Sequence, residues 1–163
     1  MIVVTNHLYA PSDDIADMRN MTGKVCDLIV EDCVPFIDRR FRTIPDKAHR
    51  ALAGLSMGAY VTMQMTREHP EFFDWLGVFS PGRGNSYWSY LETETPENIA
   101  KFNADHRLLY FSQGMQEGGE NLPGYMETLR SVGVNCEYFR SEGVHEWQTW
   151  RKAAHDFSQR IFR

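Results

Sequence analysis

The segment Ala53 to Met65, AGLSMGAYVTMQM, constrains the fold of this chain more than any other. Gly54 and Gly58 flank Ser56 in the pattern Gly-x-Ser-x-Gly, with the small apolar run RALAGL before it and a helical run from Tyr60 to Met65 after it. A serine between a strand and a helix, with a glycine on either side, is what a sharp strand-to-helix turn needs, because bulk at the flanking positions is expected to collide with the neighbouring backbone. That turn presents a hydroxyl at the end of a strand and at the positive end of a helix. The bland alternative is a Gly-Ser-Gly turn that only packs a helix on a sheet.

The remainder of the chain supplies the sheet. MIVVTN reads as a short β-branched strand, Ile2 to Thr5, followed by the turn-rich loop HLYAPSDD. VCDLIVEDCVPFIDRRF carries Val25, Leu28, Ile29, Cys33, Phe36 and Ile37 at helical spacing, with Pro35 marking a kink. DWLGVFSPG, RLLYFSQG and CEYFRSEG read as further strands, with helices around PENIAKFN and LPGYMETLRSVG, and EWQTWRKAAHDFSQRIF as the last helix. Alternating strands and helices predict an α/β fold: a mostly parallel sheet of about five strands, helices on both faces, in one domain over residues 1–163. With 163 residues there is material for one core and not comfortably for two.

Charge and cysteine usage narrow the function. A net charge of −5, without a basic cluster, argues against nucleic acid or an anionic membrane as partner. Cys26, Cys33 and Cys136 show neither disulfide nor zinc spacing and read as reduced thiols; Cys26 and Cys33, seven apart, are expected on one buried helix face. No metal and no cofactor is expected. The start of the chain has no signal-peptide pattern and no apolar run reaches the length of a membrane span, so a cytoplasmic location is expected for the sequence as it stands.

Sites in open parallel sheets form at the carboxyl ends of strands. Here those ends carry Ser56, then Ser80-Pro81-Gly82, then Gly114-Met115-Gln116-Glu117, then Gly143-Val144-His145. A hydroxyl, a carboxylate and an imidazole thus arrive in the order Ser, acid, His. Serine is too weak an acid to attack an ester unaided. An imidazole must take its proton, and a carboxylate must hold that imidazole in the right tautomer. Ser56, His145 and Glu117 are the candidates, with Glu120 a nearby rival for the acid; Met57 N–H, at the helix start, is the candidate oxyanion donor. Tyr87 and Trp88, in the loop past the third strand, are candidates for an aromatic wall, and Met57 for the pocket lining. Met63 and Met65 read as core, and Trp147 and Trp150 as residues that pack the last helix on the sheet. His7, His49, His69, His106 and His155 fit no ligand spacing and read as surface or capping residues.

RALAGLSMGAYVTMQMTREHPEFFDWLGVFSPG together with GVHEWQTWRKAAHDF resembles the esterase D and feruloyl esterase family, the α/β-hydrolases of carbohydrate esterase family 1. The resemblance spans nearly the whole chain. It implies that Ser56 is the nucleophile and His145 the base. The family's acid follows a Gly-x-x-Asp, where this chain has Glu117. It implies a serine carboxyl-ester hydrolase working through an acyl-enzyme on feruloyl or acetyl esters of plant polysaccharides, or on small aryl or short-chain esters. The family also carries strands ahead of the one like Ile2 to Thr5, with the loop of the second oxyanion donor; this sequence lacks them. Ile2 to Thr5 is therefore expected to pair with Arg50 to Leu55, bringing the backbone of His7 or Leu8 beside Ser56 as that donor. The open sheet edge left behind predicts a homodimer. The alternative is a catalytically silent remnant that binds a carbohydrate or a partner chain.

Overall fold

The computed structural model describes residues 1–6, 18–81, 89–118 and 122–163. Four parallel strands lie in sequence order, β1 (Ala51–Leu55), β2 (Trp75–Phe79), β3 (Leu108–Gly114) and β4 (Glu137–Ser141). Parallel neighbours cannot be joined by a tight turn, so each pair is bridged by a crossover helix. These are α3 (Met57–Glu68), α4 (Pro96–Asp105) and α5 (Leu122–Ser131). An order of β1-β2-β3-β4 never reverses, and connections of one hand then place every crossover on the same face. The core agrees. Met63 and Met65 of α3, Ile99 and Phe102 of α4, and Met126 and Leu129 of α5 share one apolar cluster with Leu76, Val78, Leu109 and Phe111 of the sheet.

Among the described residues the opposite face of the sheet is covered by one helix, α6 (Trp147–Ser158), which follows β4. Ala153 and Phe157, with Ile161 beyond the helix end, pack there against Trp75, Phe79, Leu108 and Tyr110. Strand alternation explains the partition: Trp75 and Phe79 point one way and Leu76 and Val78 the other. β2 and β3 are buried throughout, as interior strands of a parallel sheet should be, whereas β1 and β4 are half-exposed edges.

The N-terminal expectations do not hold. Residues 1–6 form no strand, and Met1, Ile2, Val3 and Val4 are exposed, so the sheet has four strands among the described residues rather than about five. The expected pairing of Ile2–Thr5 with Arg50–Leu55 is absent; among the described residues β1 pairs with β2 alone. Thr5 and Asn6 instead line a shallow cleft with Leu28, Phe36 and Arg39 of the N-terminal helices. A β-branched run forms a strand only where a partner ladder is available, and propensity alone did not supply one.

The first long helix is interrupted. α1 (Met18–Leu28) passes through a π-helical turn, Ile29–Cys33, into α2 (Val34–Arg40), with Pro35 in the first turn of α2, where its missing N–H costs little. A π turn advances each residue by less than the usual angle and so rotates everything after it. Cys26 stays fully buried and its sulfur lies 3.6 Å from the carbonyl of Val61, but Cys33 is only half-buried and Phe36 is 56% exposed. The expected shared buried face of Cys26 and Cys33 is therefore broken, and Val30 takes up the buried position. Burial pushes the Cys26 thiol up to about 12, so it is protonated at neutral pH.

Candidate active site

β1 delivers the chain to Ser56, which stands in a sparsely populated conformation, φ 53°, ψ −111°, before α3 begins at Met57. For a residue with a Cβ this costs about 1–3 kcal/mol and survives only where the surroundings over-determine it. Here they do. Ser56 N–H donates to the Phe79 carbonyl at 2.9 Å, and the Ser56 carbonyl accepts from Ala59 N–H at 3.0 Å. A Cβ on Gly54 would fall 1.8 Å from the Gly58 carbonyl oxygen, so strand and helix can approach only if residue 54 is glycine. The corresponding expectation for Gly58 fails: outside its own helix backbone, a Cβ there meets nothing within 4 Å among the described residues. The tight contact is one-sided because the Gly58 carbonyl, rather than its Cα, faces β1.

The Ser56 side chain occupies the N-cap position yet makes no capping hydrogen bond. Its hydroxyl is not committed to the helix, and Met57, 39% exposed, begins the open end of a twelve-residue helix. Met63 and Met65 are core, as expected.

Two strands away, the ends of β3 and β4 are tied together. Met115 N–H donates to the Ser141 carbonyl at 2.8 Å, and Gln116 N–H to the Gly143 carbonyl at 3.1 Å. The Gln116 side chain returns the exchange, accepting from Gly143 N–H at 2.5 Å. A Cβ on Gly114 would lie 2.3 Å from the Gly143 carbonyl oxygen, so the two loops touch only because residue 114 is glycine. This clasp sets Glu117 against His145. The Glu117 side chain is almost fully buried, 4% exposed, and its Oε2 lies 3.3 Å from His145 Nδ1. Its other oxygen, Oε1, accepts from Ser80 Oγ at 2.6 Å and from Gly114 N–H at 2.9 Å. The tautomer that satisfies Oε2 carries the imidazole proton on Nδ1 and leaves Nε2 as an acceptor.

Sheet register brings these pieces to one edge. Leu55, Phe79, Ser112 and Phe139 lie in one row, and the ladder runs one step further through Ser56 N–H to Phe79 O and Ser80 N–H to Ser112 O, the latter at 2.8 Å. Ser56 and Ser80 thus leave the sheet at the same level, with Glu117 beyond them. Of the three expected site residues, Glu117 and His145 are in direct contact; Ser56 and His145 share the edge but no hydrogen bond.

Several other expectations resolve. Trp147 does not pack α6 on the sheet: it is 72% exposed, while Thr149, Ala153 and Phe157, spaced by four, form the buried stripe. Trp147 packs edge-on against Trp150, which packs edge-on against the His145 ring, with centroids 5.3 and 5.0 Å apart. His106 caps α4 but is not a surface residue; it is buried with Nδ1 3.0 Å from the Phe73 carbonyl, and burial, with Lys47 nearby, pushes it down to about 4. His49 and His69 pair with Asp46 and Asp27 near the surface. Tyr87, Trp88, Glu120, His7 and Leu8 lie outside the described residues. Among the described residues no three His, Cys, Asp or Glu side chains converge as a metal site would require, and no helix is long and apolar enough to cross a membrane. Ser80 and Gln116 were visible in the sequence only as residues at strand ends, with nothing to mark what they hold.

Residues 16–160 match the family described as "Esterase: Putative esterase". A curated relative, the endo-1,4-beta-xylanase/feruloyl esterase of Xylanibacter ruminicola, is 33% identical over 137 residues, which are 83% of this chain and 17% of that protein. The fold is similar to that of the ferulic acid esterase of Anaeromyces mucronatus in complex with ferulic acid, at a TM-score of 0.71 and 17% identity over 94% of this chain and 59% of that one. It is also similar to a Staphylococcus aureus fluorophosphonate-binding serine hydrolase, at a TM-score of 0.64 and 15% identity over 82% and 62%. The chain thus spans 17% of the curated relative it matches and about three-fifths of these solved structures. With the match covering most of its length, and a strained serine elbow and a paired carboxylate and imidazole at one sheet edge, the chain belongs to the Esterase family.

Proposed function

We propose that the chain carries the catalytic apparatus of a serine carboxyl-ester hydrolase, with Ser56 as nucleophile, His145 as general base and Glu117 as the acid that orients it. The observation that carries this reading is the buried Glu117 gripping His145 Nδ1 at the edge where the strained Ser56 turn emerges. Ser56 Oγ attacks the acyl carbon while its proton passes to His145 Nε2. The carbonyl oxygen takes up negative charge and accepts from Met57 N–H, where the α3 dipole favours an anion. As the intermediate collapses, the C–O bond to the alcohol breaks and His145 returns the proton to the leaving oxygen. Water then repeats the sequence on the acyl-enzyme, releasing the acid and restoring Ser56. A bond between Ser56 and His145 that forms only with substrate in place is compatible with this scheme, since such contacts often tighten in the complex.

The substrates that fit the relatives are feruloyl or acetyl esters of plant polysaccharides and small aryl esters; the 33%-identical relative is named for a feruloyl esterase. The second oxyanion donor, from His7 or Leu8, and a wall from Tyr87 and Trp88 belong to the same proposal. So does a homodimer, for which the support is the outer edge of β1, unpaired among the described residues. Light scattering at micromolar concentration tests it: a mass near that of one 18.9 kDa chain for active protein excludes the dimer.

The central test is incubation with p-nitrophenyl acetate and a fluorophosphonate. Stoichiometric labelling that disappears in Ser56→Ala is expected. Folded protein that takes no label would favour a silent member of the family that binds an acylated carbohydrate or a partner chain.

A further inference from the structure

Ser80 is an unusual residue to find where it is. It follows β2, is 1% exposed, and has φ 43°, in the left-handed region that glycine normally occupies. Nothing in the backbone turn requires a side chain there, and a glycine would remove the conformational cost. What the side chain does is specific: its hydroxyl donates to Glu117 Oε1 at 2.6 Å, the same oxygen that accepts from Gly114 N–H at 2.9 Å. A carboxylate that orients an imidazole through one oxygen can fail by rotating, or by swinging away from the ring. Two donors converging on Oε1 oppose both motions and leave Oε2 as the oxygen that meets His145 Nδ1. The two donors come from different strands, so the carboxylate is referenced to β2 and β3 at once, while His145 arrives after β4.

We propose that Ser80 is a positioning residue for catalysis, acting through Glu117: its buried hydroxyl fixes which carboxylate oxygen faces His145. This rests on the assignment of Glu117 as the acid. The cost of a strained residue is maintained at this position because the hydroxyl must reach the carboxylate from the β2 end, which no other described side chain of that end does.

A double-mutant cycle with p-nitrophenyl acetate tests it. Ser80→Ala should lower kcat about 10- to 100-fold, the effect of removing one hydrogen bond to a charged group, with KM within about 2-fold of wild type. In the Glu117→Gln background the same change should cost less than about 3-fold, because the group through which Ser80 acts is already disabled. Ser80→Gly removes the hydroxyl and relieves the backbone, so it should be as slow as Ser80→Ala while melting at the same temperature or higher; it also carries the cycle if Ser80→Ala folds poorly. Equal costs in the two backgrounds, or a Ser80→Gly variant with wild-type kcat, would overturn the proposal. A Glu117→Gln variant with wild-type kcat would overturn the assignment of the acid instead, which is a different failure.

Discussion

The two corners of the site are held by different physics. At the Ser56 corner the position is set by the backbone: a strained serine, two main-chain hydrogen bonds, and a strand-to-helix approach that leaves no room for a Cβ on residue 54. At the Glu117–His145 corner the main chain again ties the two loops and Gly114 lets them touch, but polar side chains set the reacting groups: Ser80 holds the carboxylate and Gln116 clasps the loop that carries His145. A backbone-built corner is all or nothing. A corner built from side-chain hydrogen bonds can be weakened by degrees, because each bond contributes about 1 kcal/mol net and its neighbours remain.

Substitutions should separate the two. The largest effect is expected from Ser56→Ala, which removes the attacking atom and should cut kcat about 10⁶-fold while the melting temperature stays the same or rises. Turnover retained by this variant, measured on material free of contaminating esterase, would break the mechanism. Next is Gly54→Ala. A methyl group cannot sit 1.8 Å from the Gly58 carbonyl, so β1 and α3 must separate, and a loss of at least about 3 kcal/mol in denaturant unfolding is expected, with fluorophosphonate labelling lost as well. Gly58→Ala is the control, expected within about 1 kcal/mol of wild type, since no described residue outside its own helix backbone comes within 4 Å of a Cβ there and alanine favours the helix. Equal damage from the two glycine variants would show that the one-sided contact is wrong.

The fold itself carries a pH dependence distinct from both corners, through His106. Its pKa is held down near 4, first by burial and then by Lys47, against an ordinary 6.5. Between those values the unfolded chain binds the proton and the folded one does not, so stability rises with pH. This contribution is fully present above about 6.5 and is lost as pH falls through about 4, amounting to roughly 2–3 kcal/mol. Urea unfolding at pH 7.5 and 4.5 should show a shallower pH dependence for His106→Asn than for wild type. Identical slopes would mean that His106 is not the buried neutral imidazole described.

Smaller effects are expected from Gln116→Ala, which opens the clasp between the β3 and β4 loops. It should cost about 1 kcal/mol and lower kcat several-fold, measured on the same substrate as the Ser80 variants. A stability change without a rate change would mean that the clasp supports the loops but not His145. Trp147→Ala should leave stability within about 0.5 kcal/mol, as befits a residue 72% exposed; a larger loss in thermal unfolding would contradict its exposure.

The sequence was most legible where one local pattern had one physical solution. Gly-x-Ser-x-Gly between an apolar run and a helical run admits little besides an elbow, and the alternation of strands and helices fixed a parallel sheet whose carboxyl ends carry Ser56, Glu117 and His145 in order. The stripe Thr149, Ala153, Phe157 was equally readable, and would have shown that Trp147 lies off the buried face of α6. Illegible were the features that depend on what lies opposite. Ile2 to Val4 have strand propensity, but a strand is a relation between two segments, and no ladder meets them here. A π turn at Ile29–Cys33 leaves no compositional trace, yet it rotates Cys33 and Phe36 away from the core that Cys26 occupies. Ser80 and Gln116 gained their roles only when β2, β3 and β4 were laid side by side, because a hydrogen bond spanning 37 or 27 residues of chain is decided by register and has no local pattern to announce it.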